Sequence, residues 1–206
     1  MAFDGITIAA MVSELNKNLS GGRINKIAQP ESDELLITGK GANGQKRLLL
    51  SASASLPLIY FTGKNRISPL TAPNFCMLLR KHIGSARITA IRQPGLERVV
   101  EFELEHLNEL GDVCHKVLIM ELMGKHSNII FCDDNNMILD SIKHVSCNVS
   151  SVREVLPGRP YFIPHTQDKL DPLTISREDF MEKVCGRSNA VSKALYQTLT
   201  GFSPVM

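Results

Sequence analysis

Long apolar runs are missing from this sequence: none approaches the ~20 residues that a membrane helix needs, so no transmembrane segment is expected. The opening Met1-Ala-Phe-Asp-Gly carries no basic region and no apolar stretch of the kind that marks a secretory signal, which points to a cytoplasmic protein. Cysteine is sparse and odd in number, with Cys76, Cys114, Cys132, Cys147 and Cys185 and no CxxC spacing. That excludes a disulfide framework and gives no structural zinc pattern. Strong charge of one sign is absent too. The formal net charge is +2, too little for binding nucleic acid through bulk electrostatics, so any RNA contact must be local. With 206 residues, 43% hydrophobic and 21% charged, the composition is that of a globular chain of one domain plus the beginning of a second.

Several catalytic signatures are also missing. In ELMGKHSNIIFCDD, Gly124-Lys125 invites a phosphate-loop reading. That motif needs a glycine where Ile119 stands and Ser or Thr where His126 stands. No GxSxG elbow exists for a Ser–His–Asp site, and His126 has no second His or Cys at ligand spacing. Gly124-Lys125-His126-Ser127-Asn128 therefore reads as a hairpin connection, with Gly at positive φ and Ser or Asn bonding the backbone. Such a turn still offers N–H groups and cations to a phosphate. One locally basic run, Arg80, Lys81, Arg87, Arg92 and Arg98, is opposed only by Glu97. It is equally well a solvated face. Glu97-Arg98 sits at the start of a strand. It is either a surface pair of little energetic weight or a guanidinium placed for a phosphate or base edge.

What is present is a repeat. Leu19–Pro30 (LSGGRINKIAQP) resembles Ile83–Pro94 (IGSARITAIRQP), with Arg23, Ile24, Ile27, Gln29 and Pro30 returning as Arg87, Ile88, Ile91, Gln93 and Pro94. Before the first copy, Ile8, Met11, Val12, Leu15 and Leu19 have helical spacing, with Asp4 or Thr7 as cap. Phe75, Cys76, Leu79 and Ile83 hold the same face before the second, with Pro73 in a first turn. Strands follow each helix: ELLITG and KRLLLSA in the first copy, ERVVEFELE, CHKVLIMEL and NIIFCDD in the second. The expected fold class is α+β, with a duplicated helix-plus-antiparallel-strand unit forming a two-sheet sandwich with flanking helices.

From Ser150 to Pro172 four prolines mark an extended, ordered connection anchored by Tyr161, Phe162 and Ile163. After it, Ser176 can cap REDFMEKVCG with Asp179 in capping-box position, and Ser188 can cap NAVSKALYQTL. An amphipathic terminal helix without a partner suggests the first element of a second domain. The division expected is 1–172 and 173–206.

Taken together, MAFDG, GGRINKIAQP, PNFCMLLRK, ERVV, ELMGKHSNII with its following acidic turn, and PGRPYFIP resemble the N-terminal domain of the NFACT family, whose bacterial members were first labelled fibronectin-binding protein A-like. The resemblance covers about residues 1–172, and the terminal helices resemble the start of the family's helix-hairpin-helix-type domain. It implies a fold similar to the N-terminal domain of formamidopyrimidine-DNA glycosylases. Those use an N-terminal proline as nucleophile, and Ala2 stands here, so no glycosylase chemistry is expected.

The resemblance also implies a ribosome-associated quality control factor. Such a factor binds tRNA and the large ribosomal subunit with an obstructed peptidyl-tRNA, in rescue of stalled ribosomes and C-terminal alanine tailing. The family's acid–Arg pair falls on Glu97-Arg98 and its N-terminal acid on Asp4. The pair is often Asp-Arg, and His165 stands where a second proline is common. The family's middle and C-terminal domains are expected to lie outside this chain.

The candidate tRNA-binding residues are thus Asp4, Glu97, Arg98, Lys125, His126, Ser127 and Asn128. Arg98 and Lys125 would meet phosphate or sugar, Glu97 and Asp4 would hold donors or RNA hydroxyls, and the turn would present N–H groups. No catalytic residue, metal or cofactor is expected. The alternative is a fibronectin-binding surface adhesin, against which the missing signal speaks. An enzyme acting on nucleic acid has no nucleophile or carboxylate constellation to support it.

Overall fold

The computed structural model describes residues 3–164 and 168–204; Ala2 and His165 lie outside them. The first helix, α1 (Gly5–Leu19), starts where Asp4 accepts a 2.8 Å hydrogen bond from the Thr7 N–H. This satisfies one of the first-turn amides that have no partner within the helix. Ile8, Leu15 and Leu19 are its buried face. The second, α2 (Asn74–Ile83), starts after Pro73, which takes the N-cap position. It buries Phe75, Cys76, Leu79 and Ile83 and carries Arg80, Lys81 and His82 in its last turn, where cations suit the helix dipole.

Nine strands follow in chain order: β1 (Arg23–Ala28), β2 (Glu34–Gly41), β3 (Gly44–Ser51), β4 (Leu58–Phe61), β5 (Arg87–Arg92), β6 (Val99–Leu107), β7 (Val113–Glu121), β8 (Asn128–Asp133) and β9 (Ile138–Ser141). Every named pairing is antiparallel, and the spatial order is β4-β3-β2-β1-β5-β6-β7-β8-β9. The two expected sheets are therefore two halves of one hydrogen-bonded sheet. The reason is local. Arg23 pairs with Arg87, Ile24 N–H donates to Ala86 O (2.9 Å) and Ile88 N–H donates to Gly22 O (2.8 Å). These reciprocal bonds relate the two copies by a local twofold.

The repeat holds in detail. A bulge lies between Ile24 and Lys26 in β1, and another between Ile88 and Ala90 in β5. Ile24, Ile27, Ile88 and Ile91 all point into one core, which also takes Ile37, Leu48 and Leu50 from the first half and Phe102, Leu118 and Met120 from the second. The sheet thus wraps a single core that α1 and α2 help to close. Strands β4 and β9, short and at the two edges, were not expected from the sequence.

On the second half the other face is covered as well. Val99, Ile119, Ile130 and Cys132 pack against Val155, Tyr161 and Ile163 of the proline-rich connection, whereas Phe162 is exposed. Burial pushes the Cys132 thiol up to about 12, so it is an inert core group.

The C-terminal segment has α3 (Arg177–Phe180), a π-helical turn over Met181–Cys185, and α4 (Val191–Thr198). Ser176 caps α3 by accepting from the Asp179 N–H (3.0 Å), and Asp179, in the capping-box position, accepts from the Ser176 hydroxyl (2.9 Å). Ser188 does not cap α4. The helix starts later, after Ala190, because Ser188 still belongs to the bend that leaves the π-helical turn. Nor is α4 unpartnered: Ala194 joins Val184 and Leu199 in a small separate cluster.

After α4 the chain returns to the start of α1, where the Gly5 N–H donates to Gly201 O at 2.9 Å. A Cβ on Gly5 would lie 2.0 Å from Leu96 O and 2.6 Å from Gly201 Cα, so glycine is required by close backbone approach. Gly5→Ala is expected to lower stability by about 1–3 kcal/mol and to increase protease cleavage beyond residue 168. A melting curve like that of the wild type, with unchanged cleavage, would contradict this packing.

Candidate nucleic-acid interface

Strand register brings distant segments to one end of the sheet. Val99 pairs with Glu121 and Glu121 with Asn128, so the start of β6, the end of β7 and the start of β8 lie side by side. The Leu122 N–H donates to Arg98 O (2.9 Å), tying the turn after β7 to the residue before β6. The Gln93 side chain donates to Gly5 O and to Glu97 O, both at 2.8 Å. It thereby joins the start of α1 to the Glu97 loop. Asp4, Glu97, Arg98 and the Lys125 turn are thus neighbours through backbone contacts, although they are far apart in sequence.

Their side chains fall into two groups. Asp4 is committed to structure: it caps α1 and accepts a 3.0 Å bond from the Ser203 hydroxyl. Burial tends to raise its carboxyl, but the bonds from Thr7 and Ser203 outweigh that and hold it below the ordinary value. Ser127 and Asn128 are buried and committed too. The Ser127 hydroxyl accepts from the Met123 N–H (2.8 Å) and closes the turn. The Asn128 carbonyl oxygen accepts from the Ile129 and Lys143 N–H groups (2.9 and 3.1 Å), and its amide donates to Lys143 O (2.9 Å).

The turn itself is a single 3-10 turn, Gly124–His126, with Gly124 at φ 59°, which a Cβ would strain. It leaves Lys125 and His126 exposed. Glu97 and Arg98 are half-buried. Among the described residues, none of these four side chains has a hydrogen bond or ion pair. The arrangement offers two cations, a carboxylate and an imidazole to a ligand.

The basic run found in the sequence does not form one patch. Arg80 Nε donates to Ile27 O (2.8 Å), and Arg92 pairs with Glu103 (2.9 Å). Among the described residues no group of three His, Cys, Asp or Glu residues is placed to hold a metal ion, and no helix is long and apolar enough to cross a membrane.

Behind the turn lies a group that sequence reasoning missed. Glu121 is 0% exposed, and Arg153 Nη2 donates to both of its carboxylate oxygens at 2.6 Å. The Tyr161 hydroxyl donates to the same carboxylate (3.0 Å), and the guanidinium lies 5.5 Å from the Tyr161 ring centroid. Burial holds the Glu121 carboxyl above its ordinary value, against the opposing pull of Arg153. This strut fastens the proline-rich connection to the last residue of β7, directly before the turn. The signal available in the sequence was a lone carboxylate inside the apolar run VLIMEL, since a buried acid requires a partner.

Comparison with known proteins places this architecture in a class. The family described as "NFACT N-terminal and middle domains" matches residues 4–206, and the chain belongs to that family. Its relatives include "Rqc2 homolog RqcH" of Bacillus subtilis, 40% identical over all of this chain and 36% of that protein. Another is "Ribosome quality control complex subunit NEMF" of Homo sapiens, 26% identical over 85% of this chain and 15% of that protein. Among solved structures, the N-terminal domain of the fibronectin-binding protein PavA from Streptococcus pneumoniae superposes with a TM-score of 0.91 at 36% identity, covering 99% of this chain and 76% of that one. The chain spans about a third of the length of the Bacillus relative.

Arg153→Ala leaves Glu121 buried without its cation and is expected to cost about 3–5 kcal/mol. A buried acid with a raised folded-state value binds its proton more tightly folded than unfolded. The destabilisation should therefore grow as pH rises above the ordinary carboxylate value of ~4.5. Urea denaturation at acidic and neutral pH checks both size and sign. In the turn, Ser127→Ala is expected to cost about 1–3 kcal/mol by orphaning the Met123 N–H, whereas Lys125→Ala should stay within about 0.5 kcal/mol. Equal losses at the two positions would refute the division between committed and free side chains.

Proposed function

We propose that this chain is the tRNA- and large-ribosomal-subunit-binding part of a ribosome quality control factor. Such a factor acts on stalled ribosomes with an obstructed peptidyl-tRNA and supports C-terminal alanine tailing. The observation that carries this reading is the meeting of Arg98, Glu97, Lys125 and His126 at one end of the sheet with side chains committed to nothing else. Arg98 and Lys125 meet phosphate or sugar oxygens, and Glu97 accepts from an RNA hydroxyl or amine. Asp4, Ser127 and Asn128 act from behind: their side chains fix the helix start and the turn that carry those four, while the turn's N–H groups remain near the ligand.

On this reading the chain is a cytoplasmic binding module and performs no chemistry of its own. Residues 1–172 form the binding domain, and 173–206 begin a helical one. The inferred likeness to the glycosylase N-terminal domain is one of architecture alone. The names of its relatives support the reading: the human one is a ribosome quality control complex subunit, and the Bacillus one is named as an Rqc2 homolog.

A second reading, as a fibronectin-binding adhesin, is favoured by one observation, the close superposition on a fibronectin-binding protein domain. The two readings separate experimentally. In the full-length protein, Arg98→Ala is expected to weaken tRNA binding about tenfold or more without lowering the melting temperature. It should also reduce the slope of log affinity against log salt by about one phosphate contact. Equal tRNA affinity in Arg98→Ala and wild type would remove Arg98 from the interface. Salt-independent fibronectin binding without any tRNA binding would favour the adhesin.

A further inference from the structure

The outward face of the first sheet half has an unusual charge pattern. Register partners on neighbouring antiparallel strands project to the same side of a sheet. Arg23 of β1 pairs with Lys40 of β2 on one side and with Arg87 of β5 on the other. Three cations therefore stand abreast on three adjacent strands, within roughly 10 Å. One step along, Lys26 pairs with Thr38, and Thr38 with Arg47. Arg23, Lys26, Lys40 and Arg87 are exposed. Among the described residues none of the five has an ion-pair partner. Arg23 and Arg47 donate only to the backbone oxygens of Ser85 (3.3 Å) and Gly63 (3.0 Å).

Like charges directly opposite each other destabilise a ladder. Here the repeat enforces the opposition, because a residue near a local twofold meets its own copy. A fold carrying that repulsion gains when an anion screens it. On the other half, β6 presents Glu101, Glu103 and Glu105 outward, paired in register with Arg92, Ala90 and Arg87. The sign of the face changes across β5 and β6, which confines a polyanion to the first half.

We propose that the face formed by Arg23, Lys40 and Arg87, extended by Lys26 and Arg47, is a second contact surface for the phosphodiester backbone of structured RNA. It is separate from the Arg98 end. Arg87 pairs with Glu105, six residues beyond Val99 at the Arg98 end, so the two surfaces lie roughly 20 Å apart along β6. A single RNA following the sheet, or two RNAs, would engage both. The flat spacing of point charges without aromatic side chains between them suits backbone positioning and carries no base readout. This inference rests on the RNA-binding reading above.

The test uses the full-length protein with Arg23→Gln, Lys40→Gln and Arg87→Gln combined. Binding of bulk deacylated tRNA and of purified large ribosomal subunits is measured in parallel at two salt concentrations. Loss of tenfold or more in one arm, with a salt slope reduced by about two, is expected, and the arm affected identifies which RNA sits on the face. The melting temperature should stay the same or rise, because repulsion is removed. A purely structural role for these residues would lower it. Should the triple variant fail to fold, Lys40→Gln alone must reduce the slope by about one.

Wild-type RNA binding with unchanged affinity and slope in the variants overturns this inference only. A deficit confined to fibronectin binding also overturns it, since the face would then serve an acidic protein. Failure of the wild type to bind either RNA overturns both this inference and the reading it rests on. Loss in the triple variant alongside normal binding by Arg98→Ala would support the face and sink the Arg98 assignment.

Discussion

Everything in this molecule hangs from the short ladder between β1 and β5. Few bonds cross it, centred on Arg23 and Arg87, yet they convert a four-stranded and a five-stranded meander into one sheet with a common core. The isoleucines beside the junction, Ile24, Ile27, Ile88 and Ile91, are buried. Association across the seam is therefore driven by apolar burial, and the hydrogen bonds set the register. The matching bulges just past Ile24 and Ile88 bend both strands at the same step. Such bends let an antiparallel sheet curl around side chains from both halves.

The same seam explains why the candidate site lies where it does. Growth of the sheet outward from β5 brings β6, β7 and β8 into register with their site ends together. Helix α1 runs across the junction and delivers its first turn to that end, where Gln93 clasps Gly5 and Glu97. Gln29, the counterpart of Gln93 in the first copy, turns inward to its own loop and donates to Ser32 O (3.4 Å). One repeat motif has thus become a local turn in one copy and a tether in the other. The copy that carries the tether carries the site.

Much of this was legible in the sequence, for definable reasons. Helix faces and strands β2, β3, β6, β7 and β8 were read correctly because their periodicity is local. Asp4 at the start of α1 and Ser176 at the start of α3 act within one helical turn of themselves, as cap rules require. The repeat was visible as matched residues, but its consequence, a single sheet in place of two, depends on a pairing across sixty-odd residues that no local pattern records. Strands β4 and β9 were missed because four residues are too few to show a period. Within the candidate set, the sequence could not say that Ser127 and Asn128 face inward while Lys125 and His126 face outward. That split follows from the Met123–Ser127 closure of the turn, a contact made only once β7 and β8 are paired.

The Glu121–Arg153 pair shows how stability and site geometry are linked here. Removing two charges from water is expensive, and a buried pair is often no more stabilising than apolar side chains of the same volume. What the pair supplies is direction. A carboxylate that accepts two short bonds from one guanidinium and a third from Tyr161 tolerates little displacement. Those donors come from the proline-rich connection, which meets edge strand β9 through backbone bonds, Ile138 N–H to Arg159 O (2.9 Å) and Gly158 N–H to Ile138 O (2.8 Å), and meets the outer face of the sheet through non-directional apolar contacts. The backbone bonds hold the strap at β9; over the outer face of β7 and β8, where its contacts are apolar, the charged pin sets its position. The pin sits at the last residue of β7, one residue from the Leu122 bond to Arg98. Fixing the strap therefore fixes the base of the turn and the carbonyl beside the free guanidinium. The energetic cost of burying Glu121 is offset by preorganisation of a surface whose own side chains are left unbonded, as a binding surface requires.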